Sequence, residues 1–259
     1  MLAELYAGSL ADADRRRELV STDVLENSAL AKSPALDAIK FLAPSSNVKI
    51  LAEVKRASPS RGELAEIPDP AALAKIYSDN GASAISVLTE ERKFKGSLSD
   101  LENVRAVVNV PLLRKDFIAT EYQILEARAA GADIVLLIVA GLTHPEISRL
   151  MDFTIQLGMT PFIETHSREE LKLAVDLGAA LVGINARDLS TFETDRNLFG
   201  ELVDIIPAGV IKVAESAVRN ADDIRHYRQA GADVVLVGEA LVTGDPASML
   251  RSFLESGKS

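Results

Sequence analysis

The chain contains no cysteine and no tryptophan, and only 5% of its residues are aromatic. Without cysteine there is no disulfide framework, no thiolate nucleophile and no Cys-ligated metal, and a reducing, cytoplasmic setting is the expectation. The three histidines, His144, His166 and His226, lie far apart and share no close metal-ligand spacing. Each is expected at a surface or a helix start. No apolar run reaches the length of a membrane span. The opening residues Met1-Leu-Ala-Glu-Leu-Tyr6 lack a basic region followed by an apolar one, so no signal peptide is expected there. Positive charge is also scarce: 28 Lys and Arg against 38 Asp and Glu give a net charge of −10. That balance argues against a nucleic acid or an anionic membrane as partner. It leaves room for a small anionic substrate, because a few Lys and Arg reverse the potential inside a cleft.

What the chain does have is a large apolar fraction, 47% of 259 residues, enough for one large core. Length alone would allow two domains, but α/β barrels of this size are commonly one. A weak repeat supports that architecture. Gly81-Ala-Ser, Gly131-Ala-Asp, Gly178-Ala-Ala and Gly231-Ala-Asp each follow a helix-like stretch and precede an apolar run, at spacings of 50, 47 and 53 residues. Glycine in that position fits the left-handed residue that ends a helix, and each interval holds two βα units. Short apolar runs bounded by turn residues predict strands over 48–54, 84–88, 111–115, 134–139, 161–164, 181–185, 210–215 and 234–237. Between them, Asp69-Pro70 reads as an N-cap and first-turn proline opening a helix to about Asn80. Ser167-Arg-Glu-Glu170 reads as a capping box opening a helix through Leu177. The alternation predicts a (β/α)8 barrel over residues 48–259, although an open doubly wound sheet shares it. Residues 1–47 fall outside the repeat. They read as an N-terminal helical extension of the same domain, with one helix from Leu2 to about Leu19 and a second from Ala35 to about Leu42 after Ser33-Pro34. The extension could plug the barrel bottom or lie over the strand C-termini.

The chemistry is expected at those C-termini, because apolar runs repeatedly end there in a polar residue: Glu53 and Lys55, Lys115, Glu164, Asn185 and Glu215. On a parallel barrel this gathers lysines, carboxylates and an amide at one end. Alternation refines the reading. Ile50, Ala52 and Val54 share one wholly apolar face, which must lie under the helices, so Leu51, Glu53 and Lys55 face the interior. A structural ion pair between Glu53 and Lys55 is the plainer alternative. Lys115 shares parity with Leu113 and points inward, while Arg114 and Asp116 point away, toward each other or the helices. An inward Lys is either neutralised by desolvation or held charged by Glu53 or Glu164. Either form suits a general acid; only the neutral one suits a Schiff-base nucleophile.

Two further features concern binding. The loops after the last two strands, Glu215-Ser-Ala217 and Gly238-Glu-Ala240, are placed where barrel enzymes hold phosphate. Gly238 permits close backbone approach, and Ser216 brings a hydroxyl. The loop Arg56-Ala-Ser-Pro-Ser-Arg-Gly62 is small, polar and basic, suited to an anion or simply to solvent. Phe94 and Phe117 could form an aromatic wall or simply pack.

Taken in order, Glu53-Val-Lys55-Arg-Ala-Ser58-Pro59-Ser60, Ser86-Val-Leu-Thr-Glu90, Phe94-Lys-Gly-Ser97, Leu113-Arg-Lys115-Asp-Phe117, Glu121-Tyr-Gln123, Asn185-Ala-Arg187-Asp188-Leu and Ala214-Glu215-Ser216 resemble the indole-3-glycerol phosphate synthases of tryptophan biosynthesis. The resemblance runs from about residue 45 to 250, and an N-terminal extension is also a trait of that family. It implies a lyase that closes the ring of 1-(2-carboxyphenylamino)-1-deoxyribulose 5-phosphate onto the ketose carbonyl, with loss of carbon dioxide and then of water. It implies Lys115 as general acid and Glu164 as acid/base partner in the dehydration. Lys55 would hold the substrate carboxylate, and Glu53 and Asn185 would orient lysines and substrate hydroxyls. Glu215, Ser216 and Arg187 would line the mouth. Phosphate would rest on Ser58, Ser216 and the backbone at Ala217, Gly238 and Glu239. Pro59, Phe94, Phe117, Leu136 and Phe192 would surround the anthranilate ring. No metal and no cofactor is called for. The implied partners are the phosphorylated substrate and, by fusion or association, other enzymes of the same pathway.

Two positions depart from the family pattern. Ala217 stands where glycine usually follows Glu-Ser, and a methyl there would crowd phosphate or strain the backbone if φ is positive. The family's ring-contacting Trp in the N-terminal extension is missing, which leaves Tyr6 as a candidate. Rival readings are a Schiff-base aldolase-like barrel, a phosphoribosylanthranilate isomerase and a scaffold without catalysis.

Overall fold

In a computed structural model, residues 1–188, 191 and 193–258 are described. The eight barrel strands are β1 (Lys49–Val54), β2 (Ala84–Leu88), β3 (Leu112–Lys115), β4 (Ile134–Ile138), β5 (Thr160–Thr165), β6 (Leu181–Asn185), β7 (Ile211–Glu215) and β8 (Val234–Val237). They close in sequence order, every neighbour parallel, with β8 pairing back onto β1. All of the expected strands are present, with bounds shifted by a residue or less. The glycines at 81, 131, 178 and 231 have φ of 98°, 91°, 75° and 99°, the left-handed turn that sends each helix into the next strand.

The alternation within β1 sorts the core into two layers. Ile50, Ala52 and Val54 belong to the outer layer, packed with helix residues such as Tyr77, Leu101 and Ile124. Leu51 joins Leu113, Phe162, Leu181, Val213 and Leu236 inside the barrel. Phe162 is fully buried there, and truncating such a ring to Ala costs about 3–5 kcal/mol.

The N-terminal extension forms three helices, α1 (Leu2–Leu19), α2 (Thr22–Leu30) and α3 (Ala38–Leu42). Both expectations for its position are met, by different parts. Leu5 and Tyr6 of α1 pack at the strand C-termini, Leu5 lining the mouth and the Tyr6 ring 5.6 Å from that of Phe117. In α2, Leu25 and Ala29 pack on Tyr122 and Leu125 at the barrel flank. Ala38 and Leu42 of α3 join Ala84, Ile134, Leu181 and Ile211, the first residues of their strands, and so plug the bottom. Beside them the Leu36 N–H donates to Asp133 Oδ1, 2.7 Å away.

Three local expectations are corrected. The helix expected from Ala35 begins at Ala38, because Asp37 supplies the cap by accepting the Lys40 N–H. The helix Thr22–Leu30 was not read from sequence; it buries only Leu25 and Ala29, too few apolar positions to show a period. Ser167 does cap the helix Arg168–Asp176, but the Glu170 carboxylate reaches past it to the His166 N–H at 2.8 Å, so the reciprocal box is not closed. The loop after β1 also folds into a small hairpin, pairing Ala57–Ser58 with Gly62–Glu63.

Candidate active site

The strand C-termini surround a cavity of about 570 Å³. On β1, two-residue periodicity puts Glu53 and Lys55 side by side, with Lys55 Nζ 2.8 Å from Glu53 Oε1. The other oxygen, Oε2, accepts from Ser86 Oγ of β2 at 3.3 Å and faces Lys115 Nζ at 3.8 Å. Both the ion-pair and the cavity-facing readings of this pair therefore hold. A Cβ on Gly238 would stand 2.5 Å from Glu53 Oε1 and 3.1 Å from Lys55 Nζ. The glycine thus makes room for the pair, a constraint that sequence reasoning had assigned to phosphate approach.

Lys115, at the end of β3, lies 3.1 Å from Glu215 Oε2, 3.6 Å from Glu164 Oε2 and 3.8 Å from Glu53 Oε2. Burial disfavours its charge, but Glu215, Glu164 and Glu53 together outweigh burial and push the ammonium pKa above its usual value. Of the two states expected for an inward Lys, the structure holds the charged one. Its neighbour Arg114 points outward and is fully buried, bonding Thr89, the Gln123 carbonyl, Glu126 and Asp116. That network fixes β3 on the helix layer and leaves Lys115 as the cation of this strand in the cavity.

The carboxylates are not equivalent. Burial opposes the charge on Glu164, but Lys115, His166 and Asn185 hold its carboxyl well below the usual range. Burial and the nearby Glu164 push Glu215 the other way, up to about 8. Glu164 is therefore ionised at neutral pH while Glu215 keeps its proton. A Cβ on Gly183 would collide with the Glu215 carboxylate and the Phe162 ring, so β6 needs glycine opposite this pair.

Asn185 ties the next loops together. Its Nδ2 donates to Glu164 Oε1 at 3.1 Å, and its Oδ1 accepts from Ser216 Oγ at 2.7 Å and from the Arg187 N–H at 3.0 Å. The Ser216 proton is thus directed at Asn185, where the sequence suggested it was free for an anion. Ser216 and Ala217 have φ of 70° and 58°. The strain foreseen for a methyl at 217 is present, because an L side chain pays about 1 kcal/mol or more in this region. Across the mouth Arg187 Nη1 donates to Ser60 Oγ, 3.3 Å away, and Arg61 pairs with the Glu239 carboxylate at 3.0 Å.

The apolar side of the cavity carries Pro59, Leu88, Phe94, Phe117, Leu136 and Ile138. The Phe94 and Phe117 rings are 6.1 Å apart, and Tyr6 meets Phe117 edge-on from α1. Tyr6 itself is not in the lining; the extension contributes Leu5 instead.

Glu53, Lys55, Ser58, Lys115, Glu164, Asn185, Arg187, Glu215, Ser216, Ala217, Gly238 and Glu239 all line this one cavity, as do Pro59, Phe94, Phe117 and Leu136. Phe192 lies outside the described residues. Sequence reasoning missed Leu5, Ser86 and His166. The signal for His166 was readable: it stands two residues after Glu164 and so shares its parity. Among the described residues, no cluster of three or more His, Asp or Glu is disposed to hold a metal ion, and no helix is long and apolar enough to cross a membrane.

Comparisons with known proteins agree with this architecture. The family model described as indole-3-glycerol phosphate synthase matches residues 2–253. A protein of that name from Leifsonia xyli subsp. xyli is 62% identical over 253 residues, covering 98% of this chain and 97% of the relative. Another from Mycolicibacterium smegmatis is 50% identical, covering 99% of this chain and 94% of the relative. Among solved structures, an N-acetylmannosamine-6-phosphate 2-epimerase from Clostridium perfringens aligns with TM-score 0.62 at 15% identity, over 87% of this chain and 99% of that one. A 3-hexulose-6-phosphate synthase from Salmonella typhimurium aligns with TM-score 0.62 at 14% identity, over 81% of this chain and 98% of that one. At such identities these likenesses concern the (β/α)8 fold alone. The isomerase, aldolase and scaffold readings are not favoured, and the chain belongs to the indole-3-glycerol phosphate synthase family.

Proposed function

We propose that the cavity converts 1-(2-carboxyphenylamino)-1-deoxyribulose 5-phosphate to indole-3-glycerol phosphate, carbon dioxide and water. The observation that carries the assignment of roles is Lys115, a half-buried ammonium held charged among Glu53, Glu164 and Glu215.

Ring closure needs a proton on the ketose oxygen as the aromatic carbon attacks. Lys115 supplies it, because its proton is present at neutral pH and its Nζ faces the cavity. Loss of carbon dioxide from the attacking ring carbon then restores aromaticity. Dehydration follows: the new hydroxyl leaves with a proton, and the adjacent carbon gives one up. Glu164, ionised and buried at the end of β5, acts as the acid/base partner of this stage.

Lys55 holds the substrate carboxylate at the polar edge of the cavity, oriented by Glu53. Asn185 orients Glu164 and, through Ser216, the next loop. Phosphate sits over Ser58, Ser216 and the backbone of Ala217, Gly238 and Glu239, with Arg61 and Arg187 as nearby cations. The Glu239 side chain is turned to Arg61, so Glu239 serves through its backbone. The anthranilate ring lies against Pro59, Phe94, Phe117 and Leu136. The missing cysteines support a reducing, cytoplasmic setting for this reaction.

The test is incubation of the purified protein with the carboxyphenylamino deoxyribulose phosphate. Indoleglycerol absorbance and fluorescence should rise with time, and absence of product from folded protein would sink the reading. Borohydride added during turnover should leave no adduct on Lys115, since a charged ammonium is not a Schiff-base nucleophile.

A further inference from the structure

His166 stands at the start of the loop between β5 and the helix Arg168–Asp176, two residues beyond Glu164 and on the same side of the strand path. Its ring is nearly buried and is not part of the cavity lining. One nitrogen, Nε2, lies 3.3 Å from Glu164 Oε1; the other, Nδ1, lies 3.5 Å from Glu170 Oε2. The same Glu170 oxygen accepts the His166 backbone N–H at 2.8 Å. Glu170, in the first turn of the helix Arg168–Asp176, therefore holds the backbone of His166 and places its carboxylate at ion-pair distance from the ring. The imidazole bridges a partly exposed carboxylate on the helix and a buried carboxylate in the cavity.

The consequence falls on the two oxygens of Glu164. Oε1 accepts a hydrogen bond from Asn185 Nδ2 at 3.1 Å and has His166 Nε2 beside it at 3.3 Å, a contact at ion-pair distance without hydrogen-bond geometry. Oε2 is buried without a hydrogen-bond partner, 3.6 Å from Lys115 Nζ. One oxygen is anchored and the other is presented. We propose that His166 is a positioning residue for the reaction: its backbone held by Glu170, it packs its ring against Glu164 Oε1 and leaves Oε2 turned to the substrate.

Electrostatics support the geometry. The groups facing Glu164 are Lys115 from β3, Glu53 from β1, Glu215 from β7, Asn185 from β6 and Tyr6 from α1, with Lys55 behind Glu53 and Glu170 behind His166. Burial works against charge on His166, but Glu164 and Glu170 outweigh it and push the imidazole up to about 10. The charged ring favours ionised Glu164, so the proton of the Glu164 and Glu215 pair sits on Glu215. Without that cation the proton would be shared, and Glu164 would spend more time unable to accept one.

This inference rests on the reading of Glu164 as the acid/base group, and the test separates the two. The kcat and KM of wild type, His166→Phe, His166→Gln and Glu164→Gln are measured from about pH 3.5, or the lowest pH at which each stays folded, to about pH 9, alongside thermal melts. His166→Phe should lower kcat about tenfold or more with KM within about threefold. His166→Gln, which keeps an N–H donor without the charge, should recover most of that loss. Its acid limb should still lie about one pH unit higher than in wild type, since Glu164 becomes easier to protonate. Glu164→Gln should lose about a hundredfold or more. An inactive Glu164→Gln beside a His166→Phe of wild-type kcat and pH profile would overturn the role of His166 alone. So would a loss in His166→Phe that tracks a lowered melting temperature, with neither rescue nor a moved acid limb in His166→Gln. Near-normal activity in Glu164→Gln would overturn the acid/base reading, and the role of His166 with it.

Discussion

Lys115 Nζ lies 3.1 Å from Glu215 Oε2, yet Glu215 is the carboxyl of the cavity that keeps its proton. Proximity to a cation would ordinarily favour ionisation. Burial and the negative charge on Glu164 prevail here. The arrangement leaves one ammonium and one ionised carboxylate, Lys115 and Glu164, beside a neutral acid.

The neutral acid matters for an anionic substrate. Glu215 is protonated below about 8 and ionised above it. Ionisation adds a negative charge beside the substrate, so KM should rise as pH passes through about 8, and Glu215→Gln should remove that rise. Stability carries the same sign. The folded carboxyl binds its proton more tightly than the unfolded one, so this contribution is fully present below about 4.5 and is lost as pH rises through about 8. Urea titrations over that window should therefore diverge with rising pH, wild type losing stability relative to Glu215→Gln, which cannot ionise. A constant difference would contradict the protonated assignment.

Arg114 is fully buried with two carboxylates on its guanidinium, Asp116 at 2.9 Å and Glu126 at 3.2 Å. Arg114→Met would take the cation from buried Asp116 and leave Glu126 to Arg16 alone, and breaking a buried pair costs about 3–5 kcal/mol. The measurement is the unfolding free energy. The residual folded protein should show reduced kcat, since this network holds the strand that carries Lys115.

Ala217 has φ 58°, in the left-handed region. Ala217→Gly should relieve that strain and stabilise the fold by about 1 kcal/mol, net of the greater freedom of glycine in the unfolded chain. Turnover should stay similar and inorganic phosphate should inhibit at lower concentration, as the methyl leaves the cradle. Weaker phosphate inhibition would show that the methyl does not crowd the anion.

Much of this organisation was legible in the sequence because two periodicities carry it. Alternation along Ile50 to Lys55 separated the helix-facing residues from the interior ones, and the polar strand ends marked the mouth. The glycines at 81, 131, 178 and 231 marked the repeat. What escaped depends on contacts between distant segments. Nothing local says that Gly238 makes space for Glu53 and Lys55, or that the Ser216 hydroxyl is turned to Asn185. The preference of the proton for Glu215 over Glu164 arises from their mutual burial and their different neighbours. The helix Thr22–Leu30 was hidden because it sits on the flank with only two buried residues. His166 was set aside because histidines were judged for metal spacing, whereas its partner is a carboxylate two residues away.

The central claim is that Lys115 supplies the proton for ring closure, and the most direct measurement is the single-turnover rate of indoleglycerol formation by Lys115→Met and wild type. The methionine fills a similar volume without a proton to give. The rate should fall by about two to four orders of magnitude with the melting temperature and substrate affinity near those of wild type. A rate within about threefold of wild type would contradict the account and move the acid to another group, Lys55 being the other lysine in the cavity.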